Sequence, residues 1–199
     1  MGEIIRVASY NIRKAVGLDW KRRPDRIAQV IGSINADIVV LQEADQRFGP
    51  RPGVLDIQSM SENYGYQLAQ VSTRPLSHGW HGNAVLVKKA FNIVELDRIN
   101  IPKYEPRGAV CVTVRRQNAD GAYQTIDVVG MHLSLLPGTR SKQIRFIRHY
   151  IESREEKHPV ILLGDFNEWR SQHYLSRDFG SEFDLIEPGL TFHAKRPFM

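Results

Sequence analysis

Cysteine is nearly absent from this sequence: Cys111 is the only one in 199 residues, which excludes an internal disulfide and leaves no thiolate cluster for structural zinc. It sits in an alternating apolar run, Ala109 to Val114, and reads as a packed core residue. Long apolar runs are also missing. Segments such as Val160 to Leu163 fall far short of the ~20 apolar residues that cross a bilayer. The first residues lack the basic start, long apolar middle and small-residue cleavage site of a secretory leader, so a cytoplasmic protein is expected. Low-complexity stretches, fixed-period repeats and Gly/Ser linkers are absent as well, leaving no point at which to divide the chain. One domain over residues 1–199 follows, with 42% apolar residues to build its core.

What the sequence does have is a positive balance, +5 formally with a pI near 9.4, which favours an anionic partner. The basic residues are scattered in short clusters, Lys21 to Arg23, Arg115 with Arg116, and Arg140 to Arg148. They read first as solvated surface rather than as a nucleic-acid patch.

Strand-like runs dominate. Ile4 to Ile12 and Asp37 to Glu43 flank a helix opened by Pro24, in which Ile27, Val30, Ile31 and Ile34 recur at helical spacing. A Pro/Gly-rich loop from Phe48 to Gly53 leads to a short helix over Ile57 to Tyr64. Strands follow at Tyr66 to Val71, Ala84 to Val87 and Phe91 to Ile99. Ala109 to Arg116 and Tyr123 to Gly130 form a hairpin around Asn118, Asp120 and Gly121. A second long helix then carries Ile144, Ile147 and Ile151 on one face and Arg and Lys on the other, before a strand at Val160 to Leu163. Two helices cannot cover both faces of so many strands. The expected architecture is therefore an α/β (α+β) sandwich, two mostly antiparallel sheets packed face to face with helices outside, in four layers α/β/β/α.

Polar residues punctuate the strand ends: Asn11, Glu43, His132, and Asp165 with Asn167. Each alone is an ordinary strand cap. Gathered on one rim, they supply oxygen ligands for a hard cation, a hydrogen-bonding imidazole and a carboxylate able to orient water. Those are the needs of phosphate-ester hydrolysis, where negative charge builds on non-bridging and leaving oxygens. Mg2+ suits one or two carboxylates completed by water and phosphate oxygens, with Mn2+ as an alternative.

At these positions the sequence resembles a known family. Ser9-Tyr10-Asn11-Ile12, Leu41-Gln42-Glu43, His81-Gly82-Asn83-Ala84, Arg107-Gly108, His132-Leu133-Ser134 and Gly164-Asp165-Phe166-Asn167 follow in order the signatures of the endonuclease/exonuclease/phosphatase superfamily. The His-Gly-Asn-Ala segment, Gly-Asp-Phe-Asn-Glu-Trp and the Thr191-Phe192 end resemble a small bacterial branch of it. The resemblance implies Glu43 as principal metal ligand with Asn11 beside it. It implies Asp165 orienting or deprotonating the attacking water, Asn167 donating to the phosphate in the transition state, and His132 hydrogen-bonding the scissile phosphate. Asn83 and Arg107 are implied as substrate contacts; the alternative for Arg107 is a surface residue of the Pro102 to Pro106 loop.

Other residues read as structural. His78 and His81 flank Trp80 in a Gly-rich loop and are expected to be solvated; His149 and His158 belong to a helix face and its exit. Trp20, Trp80 and Trp169 are expected as packing and loop anchors, Trp169 being the best placed to stack on a substrate base. The family closes on an Asp-bearing strand and a Ser-Asp-His, and no Ser-Asp-His occurs in this sequence. The expectation is that these strands belong to a tail beyond the 199 residues, the alternative being a chain that ends here and has lost activity. The function expected is a divalent-metal-dependent phosphodiesterase acting on nucleic acid, phospholipid or a small phosphodiester. The alternative is an inactive phosphate-binding or interaction module of the same fold. The loops Phe48 to Gly53, Val71 to Trp80 and Ile101 to Arg107 are polar and rich in Gly and Pro, which leans away from a membrane surface.

Overall fold

The structure, a computed structural model, describes residues 4–102, 105–168, 172–186 and 191. Eight strands form two sheets of four. The first has the order β1 (Val7–Asn11), β2 (Ile38–Gln42), β4 (Ala84–Lys88), β3 (Tyr66–Leu68); the second runs β5 (Asn92–Ile99), β6 (Gly108–Gln117), β7 (Tyr123–His132), β8 (Val160–Asp165). Three apolar clusters separate four layers. Ile27 and Ile31 of α1 (Pro24–Ile34) and Met60 of α2 (Ile57–Tyr64) pack on Val39, Leu41 and Leu86. Val40 and Val85 meet Val110, Val112 and Val128 between the sheets. Ile144 and Ile147 of α3 (Pro137–Ser153), with Leu175 and Phe179 of α4 (Gln172–Phe179), cover Val129 and Met131. The α/β/β/α sandwich read from the sequence is thus the fold.

Among the described residues two strand pairs are parallel, β1 with β2 and β7 with β8, and the other four are antiparallel. Parallel neighbours need a crossover, and α1 and α3 are those crossovers. The molecule therefore contains one β-α-β unit in each sheet, and β1 and β2 of one lie across the sandwich from β8 of the other. Parallel strands end on the same rim, so the C-terminal ends of β1 and β2 face those of β7 and β8.

Local chemistry sets the element limits. Pro24 and Pro137 each stand at a first helical position, where a missing N–H costs nothing. Asp56 caps α2 by accepting from Ser59 N at 3.0 Å. Asn35 and Gly65 end α1 and α2 in the left-handed conformation. Gly121 N donates to Asn118 O at 2.9 Å, closing the expected β6–β7 turn.

Several expectations need correction. The first strand begins at Val7 rather than Ile4, and β3 stops at Leu68 rather than Val71. Strand β7 runs past Gly130 to His132, because its pairing with β8 continues to His132 opposite Asp165. In α1, Val30 and Ile34 are exposed, leaving Ile27 and Ile31 as its core face. Helix α4 was not foreseen. Arg140 does not belong to a solvated face: it is buried, donates to Ser134 O at 3.0 Å and pairs with Glu168. Trp20 is 83% exposed and anchors nothing, whereas Trp169 and Phe192 lie outside the described residues. Cys111 is in the core as expected, its burial pushing the thiol up to about 12.

Candidate active site

Strand alternation delivers three of the site residues. In β7, Ile126 and Val128 face the seam between the sheets while Val129 and Met131 face α3, so the period of two turns His132 toward the seam at the rim. In β8, Ile161 and Leu163 point into the seam, and Asp165 follows in phase. In β1, Ala8 and Tyr10 face the α1 layer, leaving Asn11 on the seam side. The approach of the sheets is aided by Gly130, where a Cβ would lie 2.7 Å from Val40 Cγ1.

Glu43 reaches the same place by a different route. It directly follows β2 and has φ +54, a left-handed conformation that costs a non-glycine residue roughly 1–2 kcal/mol. The turn is held from both sides. Lys14 N donates to Glu43 O at 3.0 Å, and the next residue, Ala44, donates its N–H to Gly82 O at 2.9 Å. Arg13, Lys14 and Ala15 are themselves all left-handed, which swings the Lys14 ammonium onto the Glu43 carboxylate.

The four side chains are linked in a row, Glu43 to Asn11, Asn11 to Asp165 and Asp165 to His132. Asn11 Nδ2 donates to Asp165 Oδ2 at 2.9 Å and to Glu43 Oε1 at 3.4 Å, while Asn11 Oδ1 accepts from Arg13 N at 3.1 Å. The backbone donor fixes which way the amide faces, so Asn11 holds two carboxylates apart instead of offering a lone pair beside Glu43. His132 Nε2 lies 3.7 Å from Asp165 Oδ2. Asn167, left-handed at φ +50, donates its N–H to Asp165 Oδ1 at 3.0 Å and its amide to Leu133 O at 2.8 Å.

Behind His132 stands a chain of polar contacts. Arg107 Nη1 lies 2.9 Å from His132 Nδ1 and 2.5 Å from Nε2. Arg107 also pairs with Glu105 at 3.2 Å, and Glu105 accepts from Ser134 Oγ at 2.7 Å. Ser134 N in turn donates to Gln143 of α3 at 2.8 Å. Arg107 is therefore no free surface residue. Asn83 is fully buried, donating to Trp80 O at 3.2 Å and Gly108 O at 2.9 Å. The structure uses it to tie the entry of β4 to the strand beginning beside Arg107, rather than presenting it to the cleft.

The electrostatics follow from these contacts. Burial pushes the Glu43 carboxyl up, but the Lys14 ammonium, then the Asn11 amide and His132, outweigh it and hold it below the usual range. Burial, reinforced by the Arg107 guanidinium, pushes His132 down to about 4 against the pull of Asp165, Glu43 and Glu105. A neutral imidazole can accept from Arg107 at its one unprotonated ring nitrogen and keeps a single N–H on the other. Glu105 is pushed up by burial and pulled down further by Ser134 and Arg107, ending below its ordinary value.

A cleft of about 570 Å³ opens over Glu43 and His132, with Lys14, Arg107 and the loops at 45–51 and 72–82 in its walls. Lys14 and Asp45 were missed in the sequence. The signal for Lys14 was its place three residues past Asn11; Asp45 had none, since its role is to accept from Ser77 Oγ at 2.6 Å and His78 N at 2.7 Å, joining two loops. His78 is half-buried, its Nε2 2.8 Å from Leu55 O, rather than solvated. Among the described residues no three His, Cys, Asp or Glu side chains form a ready metal cage, and no helix is long and apolar enough to cross a membrane.

Comparison with known proteins bears on the fold and the family. The chain is 26% identical over 156 residues to the uncharacterized protein YbhP of Escherichia coli strain K12, spanning 73% of this chain but only 59% of that one. The crystal structure of D. rerio TDP2 complexed with single strand DNA product superposes with a TM-score of 0.65 at 20% identity, covering 88% of this chain and 65% of that one. The human Nocturnin catalytic domain with bound sulfate gives 0.62 at 24% identity, covering 89% and 69%. These likenesses establish the fold. The sequence pattern of the Endonuclease/Exonuclease/phosphatase family matches residues 8–193, nearly the whole length, and the chain belongs to that family.

Proposed function

We propose that this chain is a divalent-cation-dependent phosphodiesterase domain whose reacting centre is the rim between its two β-α-β units. The observation that carries the reading is the convergence of four strand ends under an open cleft, where Asn11 hydrogen-bonds Glu43 and Asp165 and His132 lies 3.7 Å from Asp165. Phosphoester cleavage by the family and the sulfate and DNA product bound by its structural neighbours are consistent with it.

The donor set fits a hard cation. Two carboxylates share one amide donor, and Mg2+ asks for one or two carboxylates completed by water and phosphate oxygens. Glu43 would hold it, with Asn11 positioning the carboxylate; Mg2+ or Mn2+, when bound, supplies charge stabilisation at the non-bridging and leaving oxygens. Asp165, free of the Lys14 ammonium, orients and helps deprotonate the attacking water. His132, neutral and fixed by Arg107, donates a ring N–H toward the phosphate, and Arg107 neutralises its charge. Asn167 has a second amide hydrogen left for a phosphate oxygen after its bond to Leu133 O. Asn83 and the Glu105–Ser134 pair act as positioning groups.

One observation favours the second reading, a phosphate-binding module without turnover. The Lys14 ammonium already satisfies Glu43, so a phosphate could be held by Lys14 and Arg107 alone. Hydrolysis of bis-para-nitrophenyl phosphate separates the two. Turnover that needs Mg2+, stops with chelator and disappears in Glu43→Ala is the result expected of the enzyme. A folded protein that binds phosphate without any turnover would replace the first reading with the second.

A further inference from the structure

We infer that the mouth of this cleft is a binding surface for unpaired nucleic acid, with Phe48 as a platform for one base and Arg47, Arg51 and Arg74 as contacts for phosphates beyond the scissile one. The inference rests on the reading of the cleft as a phosphodiester site and names its substrate class. Five cationic side chains line the cleft against three carboxylates. Each carboxylate is engaged at the inner end: Glu43 by Lys14, Glu105 by Arg107, and Asp45 by Ser77 and the 78–79 backbone. Among the described residues, the guanidinium groups of Arg47, Arg51 and Arg74 have no carboxylate partner. Among the described residues, the positive charge without a carboxylate partner is thus concentrated at the entrance, where a small diester bound at Glu43 would leave it unused.

The entrance is also built. An antiparallel bridge between Asp45 and Gly53, with Gln46 N donating to Pro52 O at 2.9 Å, closes residues 46–52 into a projecting loop. Gly53 permits this, since a Cβ there would lie 2.1 Å from the His78 ring. Asp45 and the bond from Gly53 N to Leu76 O, 2.7 Å, fasten the loop to the opposite wall. At its tip Phe48 is 80% exposed, with the Arg47 guanidinium 5.7 Å from the ring centroid. An exposed ring on a loop fastened at its base, beside arginines without a carboxylate partner among the described residues, offers a base a stacking face and its backbone a counter-charge. Paired bases cannot reach such a ring without unstacking, which selects single strands over duplex. A lipid surface would need a larger apolar wedge than Phe48 and the neighbouring exposed Leu76.

The test is fluorescence anisotropy of a labelled single-stranded oligonucleotide and its duplex with chelator present, run beside turnover of bis-para-nitrophenyl phosphate with Mg2+. Expected are tighter binding of the single strand, about tenfold or greater weakening in Phe48→Ala, and a salt slope reduced by roughly 0.7 for each phosphate left without its arginine in Arg47→Ala with Arg51→Ala. Turnover of the aryl diester stays unchanged in these variants. Equal binding of duplex and single strand, or no effect of Phe48→Ala, would overturn the inference. So would a protein that ignores the oligonucleotide but sediments with phosphatidylserine vesicles through Phe48. Phe48-dependent strand binding with no turnover of the aryl diester would sustain the inference and remove the enzymatic reading instead.

Discussion

Strand β7 carries two buried polar centres five residues apart, and they are opposites. Asp127, 1% exposed, faces α3, where it accepts from Thr113 Oγ1 at 2.6 Å and pairs with Arg154 at 3.1 Å and His158 at 3.4 Å. Arg154 also reaches Glu95 at 2.7 Å and Asp97 at 3.1 Å, and Tyr150 donates to Asp97 at 2.6 Å. His132 faces the other way, into a cleft whose mouth carries Arg47, Arg51 and Arg74, which have no carboxylate partner among the described residues. Both centres hold an Arg, a His and carboxylates, so buried charge by itself does not mark an active site. What distinguishes the rim, and makes it the candidate, is an opening to solvent, backbone strain at Glu43 and arginines that have no carboxylate partner among the described residues. The Asp127 centre is closed on itself and fixes α3 to the sheet.

Mutating the two centres in parallel is the severest trial of that contrast. Asp165→Asn keeps the shape of the side chain and should lower kcat on an aryl diester by about a hundredfold to ten-thousandfold. Its melting temperature should fall by only a few degrees, because the contacts altered, from Asn11 and Asn167 to the carboxylate, are part-buried and the side chain keeps its shape. Asp127→Ala should do the reverse. Removing one partner of a buried ionic group costs about 3 kcal/mol, or roughly 6–12 °C in Tm for a chain of this size, with kcat of the folded protein unchanged. If Asp127→Ala abolished turnover at a temperature where the protein remains folded, the division between the two centres would be lost.

The same contrast explains what could be read in advance. Alternation and helical spacing are local signals, so the strands around Ile38 to Leu41 and Val160 to Leu163 and the helix at Pro24 were legible, and with them the sandwich. That Asn11, His132 and Asp165 would meet on one rim was legible because they continue a strand's phase to its end. Glu43 was read from the strand end it follows, although its geometry is set by a left-handed turn that alternation does not foretell. The Arg140 error has a plain cause: a guanidinium at helical spacing looks solvated unless a carboxylate 28 residues later, Glu168, is known to fold onto it. Asn83, buried between Trp80 and Gly108, shows that a polar residue beside a site motif can serve the scaffold.

Acid should act mainly through the rim. His132 is held neutral in the fold down to about 4, against 6.5 in an unfolded chain, so between those values the unfolded state binds the extra proton. Stability from this group is fully present above about 6.5 and is lost progressively as pH falls toward about 4. Glu43, whose carboxyl is also held down, adds its loss at the acid end. Thermal melts across this window should show Tm falling with pH, and His132→Asn should flatten the slope. An unchanged slope in that variant would assign the acid sensitivity to other groups.

The smallest effect expected tests the pair at the heart of the rim. Lys14 and Glu43 form an ion pair in which each side chain keeps about a quarter to a third of its exposure, 30% and 26%, so the pair is screened and modest in energy. An ammonium on the carboxylate and a divalent cation on the same oxygens exclude each other. Lys14→Met should therefore lower the Mg2+ concentration for half-maximal turnover by a few-fold while leaving fold and Tm nearly unaltered. Should Lys14 instead move to the substrate phosphate once the cation is in place, the same variant would raise KM for the diester by about tenfold, the worth of one charge-assisted contact. Titrating Mg2+ at saturating diester, then diester at saturating Mg2+, separates a competitor of the cation from a partner of the phosphate. A variant unaffected in both titrations would leave Lys14 as a support for the strained turn that presents Glu43.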